Sequence, residues 1–249
     1  MKLSIGLKTD PGPREGANQD SILGMISDTT PRVALLVVAD GMGGAKAGER
    51  ASQEAVAVIK RNLIEEGLPT ADNARDRLRE AVTLANKAIF EKSRTSPDME
   101  GMGCTVVIVL VIDDVYWVAS VGDSRAYLVR GSENYQLTDD HTWVNARVRE
   151  GLLTPEQAAN HSLRHVLDRA LGTEETIEVD VWPDDVLESG DILILCTDGL
   201  YGVVEDKAIA QIAQLEGQRT VDDAANALVQ QALQAQTHDN TSVVVLRAD

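Results

Sequence analysis

Five aspartates stand beside apolar runs of this chain: Asp20, Asp40, Asp123, Asp198 and Asp239. Each has a small or amide-bearing neighbour, namely Gln19, Gly41, Gly122, Gly199 and Asn240. A carboxylate at the end of a buried strand is costly unless something pairs with it. If the strands carrying these acids pack into one core and their ends meet, several carboxylates converge, and a cation is what stabilises such a group. All-oxygen ligation selects hard ions such as Mg²⁺ or Mn²⁺. Two such ions ~3.5–4 Å apart are the usual arrangement for activating water against a phosphate ester. The plainer reading, in which each Asp caps a turn, serves any one of them alone and serves the set of five poorly.

The elements that must position these acids are legible around them. The stretch Val33–Gly44, VALLVVADGMGG, is an apolar run that stops at Asp40 and gives way to glycines. It predicts a buried strand, then an acid, then a loop whose main chain takes part in the site. Before it, LSIGLKTD and ILGMIS predict two short strands, with Arg14 in the polar turn between them and Asp20 opening the second. After it, the spacing predicts a helix over Gly48–Glu66, with Glu49 in its first turn, and another over Ala74–Arg94. Thr105–Ile112 and Val115–Ser120 read as a hairpin turning at Asp113-Asp114, and AYLVR and Tyr135–Leu137 as strands after it. Thr138–Gly172 is polar and helical, with a capping box at Thr154 to Gln157. It is read as either a flap over the site (roughly 139–172) or a plain helical connection. Strands at Ile177–Val181 and Asp191–Thr197, helices near Asp206–Leu215 and Thr220–Ala235, and a last strand Thr241–Leu246 complete the chain.

Composition narrows the function. The 249 residues are enough for one large domain, and a single domain over 1–249 is expected, since no repeat or compositional break divides them. The core is aliphatic: 43% of residues are hydrophobic and only 3% aromatic. A formal net charge of −17 argues against nucleic acid and anionic membranes as partners. No secretory leader or membrane span is read, and Cys104 and Cys196 read as buried thiols of a reducing compartment, so a cytoplasmic monomer is expected.

Other phosphate and nucleophile motifs fail. Lys46 lies between Ala45 and Ala47, without the Ser or Thr of a P-loop, and it occupies the third glycine of a dinucleotide fingerprint. Met42 stands where an aspartyl-phosphate mechanism would want a second acid, and Ser124 and Cys196 have no adjacent base.

The set of motifs resembles the metal-dependent PP2C-type (PPM) protein serine/threonine phosphatases in their compact bacterial form. The matching pieces are Asn18-Gln19-Asp20, Asp40-Gly41-Met42-Gly43-Gly44, Gly103-Cys104-Thr105, Val121 to Arg125, Leu137-Thr138 with Asp140-His141, Cys196 to Leu200, and Asp239-Asn240-Thr241. They stand in the family's order across essentially the whole chain. The resemblance implies an α+β fold: a four-layer α/β/β/α sandwich of two antiparallel sheets with helices outside each and metals at one end between the sheets. It implies that Asp40 bridges two Mn²⁺ or Mg²⁺ ions and that Gly41 ligates one through its carbonyl. Asp198 and Asp239 would complete one ion's shell, and Asp20 would hold metal-bound water. Asp123, with Asp198, would hold a third, weaker ion, and Asn240 would orient the neighbouring ligands. A water or hydroxide bridging the ions would attack phosphorus in line, with an arginine and the metals offsetting charge on the phosphoryl oxygens.

Two departures stand out. The family's phosphate-binding arginine falls five residues before the acid, where this chain has Glu15; Arg14 is expected to fill that role if the loop absorbs one residue. Met42 replaces the histidine acid of eukaryotic members, as bacterial members commonly have it. That leaves the leaving-group acid to a metal-bound water or to His161 of the flap. The expected substrates are phosphorylated Ser/Thr proteins, opposite a bacterial Ser/Thr kinase. The alternatives are a catalytically silent relative that binds phosphoproteins and a small-molecule phosphatase on the same metals. Retention of Asp40, Asp198 and Asp239 speaks against the silent one.

Overall fold

A computed structural model describes residues 1–13, 16–95, 97–214 and 220–249. In chain order the strands and helices are β1 (Leu3–Asp10), β2 (Asp20–Ile26), β3 (Val33–Met42), α1 (Ala45–Lys60), α2 (Ala74–Thr95), β4 (Gly103–Cys104), β5 (Val106–Ile112), β6 (Val115–Val121), β7 (Arg125–Arg130) and β8 (Glu133–Gln136). There follow α3 (Trp143–Arg149), α4 (Pro155–Ala159), β9 (Asp180–Val181), β10 (Asp185–Val186), β11 (Ile192–Cys196), α5 (Asp198–Tyr201), α6 (Asp206–Gln214), α7 (Val221–Gln234) and β12 (Thr241–Ala248).

Alternation along the strands explains the layering. In β3, Leu35, Val37 and Ala39 belong to one buried cluster with residues of α1 and α2, such as Ile59 and Leu78. Ala34, Leu36 and Val38 belong to another, with Leu193, Leu195, Val244 and Leu246 of the opposing sheet. The far faces of β11 and β12 pack Ile194, Val243 and Val245 against α6 and α7. Successive side chains of a strand point to opposite faces, so a strand buried on both sides is apolar throughout rather than alternating. The result is the expected four layers. One sheet runs β1-β12-β11-β7-β8 and the other β10-β6-β5-β3-β2, with β4 on β3 and β9 on β6; every pairing is antiparallel.

Several boundaries differ from expectation for local reasons. The main chain after Asp40 is not yet loop: Gly41 and Met42 stay extended because they pair with Cys104 and Gly103 of β4. Helix α1 begins at Ala45 rather than Gly48, with Gly44 (φ 91°) at its cap, so Glu49 lies beyond the first turn. Helix α1 ends at Lys60, and Arg61–Glu65 widen into a π turn. The expected strand over Ile177–Val181 shrinks to β9, and β10 carries no apolar run that would announce it. The Asp113-Asp114 turn is as expected, with Asp113 at φ 57° and Ile112 opposite Val115. Capping boxes at Thr154 and Thr220 are both formed. The region 139–172 holds two short helices, and it returns to the core where Leu171 bridges to Cys104.

Candidate active site

Asp20 and Asp40 face each other across the β2–β3 ladder, which pairs them directly. Asp40 has the parity of Leu36 and Val38, and Asp20 that of Ile22, so both side chains lie at the end of the layer between the sheets. The opposite sheet meets them there, and Thr197, which follows β11, donates its hydroxyl to Asp20 Oδ2 at 3.1 Å. Asp198 comes next, as the first residue of α5. Asp239 lies two residues before β12, which is the neighbour of β11. Asp123 follows Gly122 in the turn from β6 to β7, which spans the two sheets.

A cleft of about 590 Å³ is lined by Asp40, Gly41, Asp123, Asp198 and Asp239, with Asp20 beneath them, 8% exposed. Their electrostatics show that these groups share one field. Burial, then the charges of Asp20, Asp198, Asp123 and Asp239, hold the Asp40 carboxyl well above the usual carboxylate range. Burial also pushes Asp20 up to about 7, against the pull of hydrogen bonds from Ser242 and Thr197 and with the help of Asp198 and Asp239. Asp123 is likewise raised to about 7, by burial first and then by Asp198 and Asp140. Among the described residues, Asp20 Oδ1 is buried with no hydrogen-bond partner.

No three of these side chains, nor any other described trio of His, Cys, Asp or Glu, has closed to single-ion spacing. The acids ring a common cleft, as mutually repelling carboxylates do. An orphaned buried carboxylate oxygen, an all-oxygen donor set and carboxyls destabilised by one another are what a hard divalent cation would satisfy. The residues present therefore fit Mn²⁺ or Mg²⁺.

A stability test follows from these shifts. A carboxyl raised in the folded state favours folding below its unfolded pKa, and that contribution is lost as pH rises through the folded value. For Asp20 and Asp123 the window runs from 3.8 to about 7. In EDTA, the melting temperature should fall as pH rises through this window, and saturating Mn²⁺ should restore it most at the alkaline end. A metal-free protein that becomes more stable across the window would contradict this account.

Backbone contacts fix the acids. Thr105 brackets Asp40: its hydroxyl accepts from the Asp40 N–H at 3.1 Å and its own N–H donates to the Asp40 carbonyl at 2.8 Å. The same hydroxyl meets Ser124 Oγ at 2.7 Å, next to Asp123. Asn240 accepts from the Gln19 N–H at 2.8 Å and donates to the Pro11 carbonyl at 2.8 Å. It thus ties the segment before Asp20 to the one carrying Asp239, whose Oδ1 accepts from the Asn240 N–H at 2.8 Å. Gly41 has no room for a side chain, because a Cβ there would stand 2.0 Å from the Gly48 carbonyl oxygen.

Of the residues expected at the site, Asp40, Gly41, Asp123, Asp198 and Asp239 line one cleft, and Asp20 and Asn240 support it. Arg14 lies outside the described residues. His161 does not line the cleft: its ring stacks on Trp143 with centroids 5.2 Å apart, and it is His165 that reaches the cleft. Sequence reasoning missed Asp168, Arg169 and Glu174 on the cleft wall. They lie in or just after the region 139–172, where no hydrophobic period marks which residues turn inward. The bracketing role of Thr105 was visible only as part of the motif Gly103-Cys104-Thr105.

The sequence matches the family described as protein phosphatase 2C over residues 14–240. It is 33% identical over 243 residues to the serine/threonine phosphatase stp of Listeria monocytogenes, covering 97% of this chain and 94% of that one. The structure of the S. agalactiae serine/threonine phosphatase superposes with a TM-score of 0.91 at 33% identity, over 100% of both chains. The catalytic domain of the serine/threonine protein phosphatase PstP, solved in complex with two manganese ions, superposes with a TM-score of 0.83 at 35% identity, over 99% of both chains.

Proposed function

Because this chain belongs to the protein phosphatase 2C family, we propose that its cleft hydrolyses phosphoserine and phosphothreonine in proteins, with two divalent ions, Mn²⁺ or Mg²⁺, and a third, weaker one. The observation that carries this reading is the convergence of Asp40, Asp123, Asp198 and Asp239 on one cleft, where burial and neighbouring carboxylates raise Asp20, Asp40 and Asp123. Asp40, Asp198 and Asp239 would hold the core ions together with the Gly41 carbonyl; Asp123, with Asp198, would hold the weaker one. Asp20 would accept from ordered water, and Asn240 would fix the main chain on both sides. Bound there, the ions would supply Lewis-acid activation of water and offset phosphoryl charge.

Among the described residues, neither cysteine nor Ser124 is free to act as a nucleophile. Cys104 and Cys196 are fully buried, with thiols pushed far up by burial, and the Ser124 hydroxyl is engaged by Thr105. Direct displacement by water suits that inventory better than a covalent phosphoryl-enzyme. Arg14 would bind the phosphoryl oxygens. Arg14→Ala should raise KM for a phosphothreonine peptide about tenfold, the effect of one lost charge-assisted contact, and an unchanged KM would remove Arg14 from the site.

The chain is read as one phosphatase domain over 1–249, monomeric and cytoplasmic, opposing a Ser/Thr kinase. A net charge of −17 disfavours nucleic acid and anionic lipid, and no described helix is long and apolar enough to cross a membrane. The test is hydrolysis of p-nitrophenyl phosphate and a phosphothreonine peptide in Mn²⁺, in Mg²⁺ and in EDTA. Turnover should require the metal and be lost in Asp198→Asn. Folded protein with no turnover in either metal would favour the silent phosphoprotein-binding reading instead.

A further inference from the structure

His141 is completely buried outside the cleft, yet its contacts reach the cleft from two sides. Its Nδ1 accepts from the Gly122 N–H at 3.0 Å, and its own N–H donates to the Gly122 carbonyl at 2.9 Å. Both main-chain polar groups of Gly122, the residue before Asp123, are thus held by one residue. With Nδ1 accepting, Nε2 carries the proton of the neutral ring and donates to Asp180 Oδ2 at 3.0 Å. Burial and the nearby Arg169 charge hold the imidazole below its ordinary pKa, which keeps that neutral form.

Asp180 in turn holds the Arg169 guanidinium, at 3.0 Å to Oδ1 and 3.4 Å to Oδ2. The His141 carbonyl accepts from the Asp168 N–H at 2.8 Å. Asp168 and Arg169 both line the cleft. Asp180 sits in β9, paired with Ser120 of β6, just before Gly122, so the chain of contacts closes on itself.

We propose that His141 is a positioning residue that ties the Asp123 turn of the core to the Asp168–Arg169 wall of the flap, through Asp180, so that the two sides of the cleft keep one geometry. This deepens the phosphatase reading and rests on it for its kinetic arm. The competing account is a simple staple, in which the network contributes stability and nothing to the site.

The variants separate the arms. His141→Asn retains an acceptor for Gly122 and loses Asp180; His141→Gln reaches Asp180 and loses Gly122. Asp180→Asn, at a partly exposed position, leaves the buried ring in place and protects the test if the His141 variants fold poorly. The measurements are melting temperature, kcat and KM for the phosphothreonine peptide in Mn²⁺, and amide hydrogen exchange at Gly122 and Asp168.

His141→Asn and Asp180→Asn should each lower kcat/KM about tenfold, the low end for loss of an outer partner of a site. The double variant should be no worse than His141→Asn alone, as for residues acting through one path. Asp168 should exchange faster in each. Kinetics within twofold of wild type despite a lowered melting temperature would overturn the proposal in favour of a staple, as would losses that multiply in the double variant. If wild type itself shows no turnover, the phosphatase reading fails, and exchange still decides the coupling: unchanged Asp168 protection in Asp180→Asn overturns it.

Discussion

Asp40→Asn should abolish turnover and at the same time stabilise the metal-free protein. Asparagine keeps the shape of the side chain and removes its charge. The surroundings of Asp40 oppose its charge, with burial and the charges of Asp20, Asp198, Asp123 and Asp239 all acting against ionisation. Its folded-state pKa lies above the unfolded one, so at pH 8 the charge favours unfolding, and deleting it removes that term. A gain of about 1–2 kcal/mol would raise the melting temperature in EDTA by roughly 2–8 °C for a chain of this size. The gain should shrink toward pH 4, where the wild-type carboxyl is protonated. Activity should move the other way. Loss of an outer partner at such a site costs about 10–100-fold, and loss of a carboxylate proposed to hold the ions directly should cost about a thousandfold or more on the same scale. The check is melting in EDTA at both pH values beside turnover in Mn²⁺. A variant less stable than wild type at pH 8 without metal would show that hydrogen bonding, and not repulsion, dominates at Asp40.

That opposition of stability and activity also explains how much could be read in advance. The buried strands and the helices were legible because β3 and β5 are apolar throughout and α1 and α2 carry the helical period, while their four-layer arrangement was implied by the family resemblance. The five acids were legible because each interrupts such a run, where a lone charge makes no sense. The first two share a simple cause: Asp20 opens β2 and pairs in register with Asp40, where the β2–β3 ladder ends. The glycines after Asp40 misled, because they read as loop while Gly41 and Met42 in fact pair with β4, a partner of only two residues. The region 139–172 defeated pattern reading for a different reason. His141 and Arg169 are placed by individual hydrogen bonds to Gly122 and Asp180, and Asp168 by one to the His141 carbonyl, not by a buried face, and such bonds have no period. Single polar contacts of that kind are where sequence reasoning stops and coordinates are needed.

Gly41→Val should be the most damaging substitution of a glycine in the site, and for steric rather than conformational reasons. Gly41 does not have positive φ, so a side chain costs nothing in backbone conformation. Space is what it lacks. A Cβ would lie 2.0 Å from the Gly48 carbonyl oxygen and 2.7 Å from that of Gln19, and both neighbours are main chain. Gly48 belongs to the first turns of α1, and Gln19 accepts from the Gly41 N–H at 3.1 Å, so relief would have to pull α1 off β3 or part β3 from the segment before Asp20. Overpacking a well-filled interior costs about 1–3 kcal/mol where side chains can shift. Here backbone must move, and at least about 3 kcal/mol of destabilisation is expected, the upper end of that range. Displacing the Gly41 peptide also displaces the Asp40 carboxylate beside it, so turnover should vanish even in the fraction that folds. Gly67→Ala is the control. Gly67 has φ 126° and nothing within 4 Å of a built Cβ, so that change should cost about 1–3 kcal/mol of backbone strain and leave kcat intact. Thermal melts of both variants beside Mn²⁺-dependent hydrolysis separate the two costs. A Gly41→Val protein that melts with wild type and turns over would mean that α1 can withdraw from β3 without disturbing the acids.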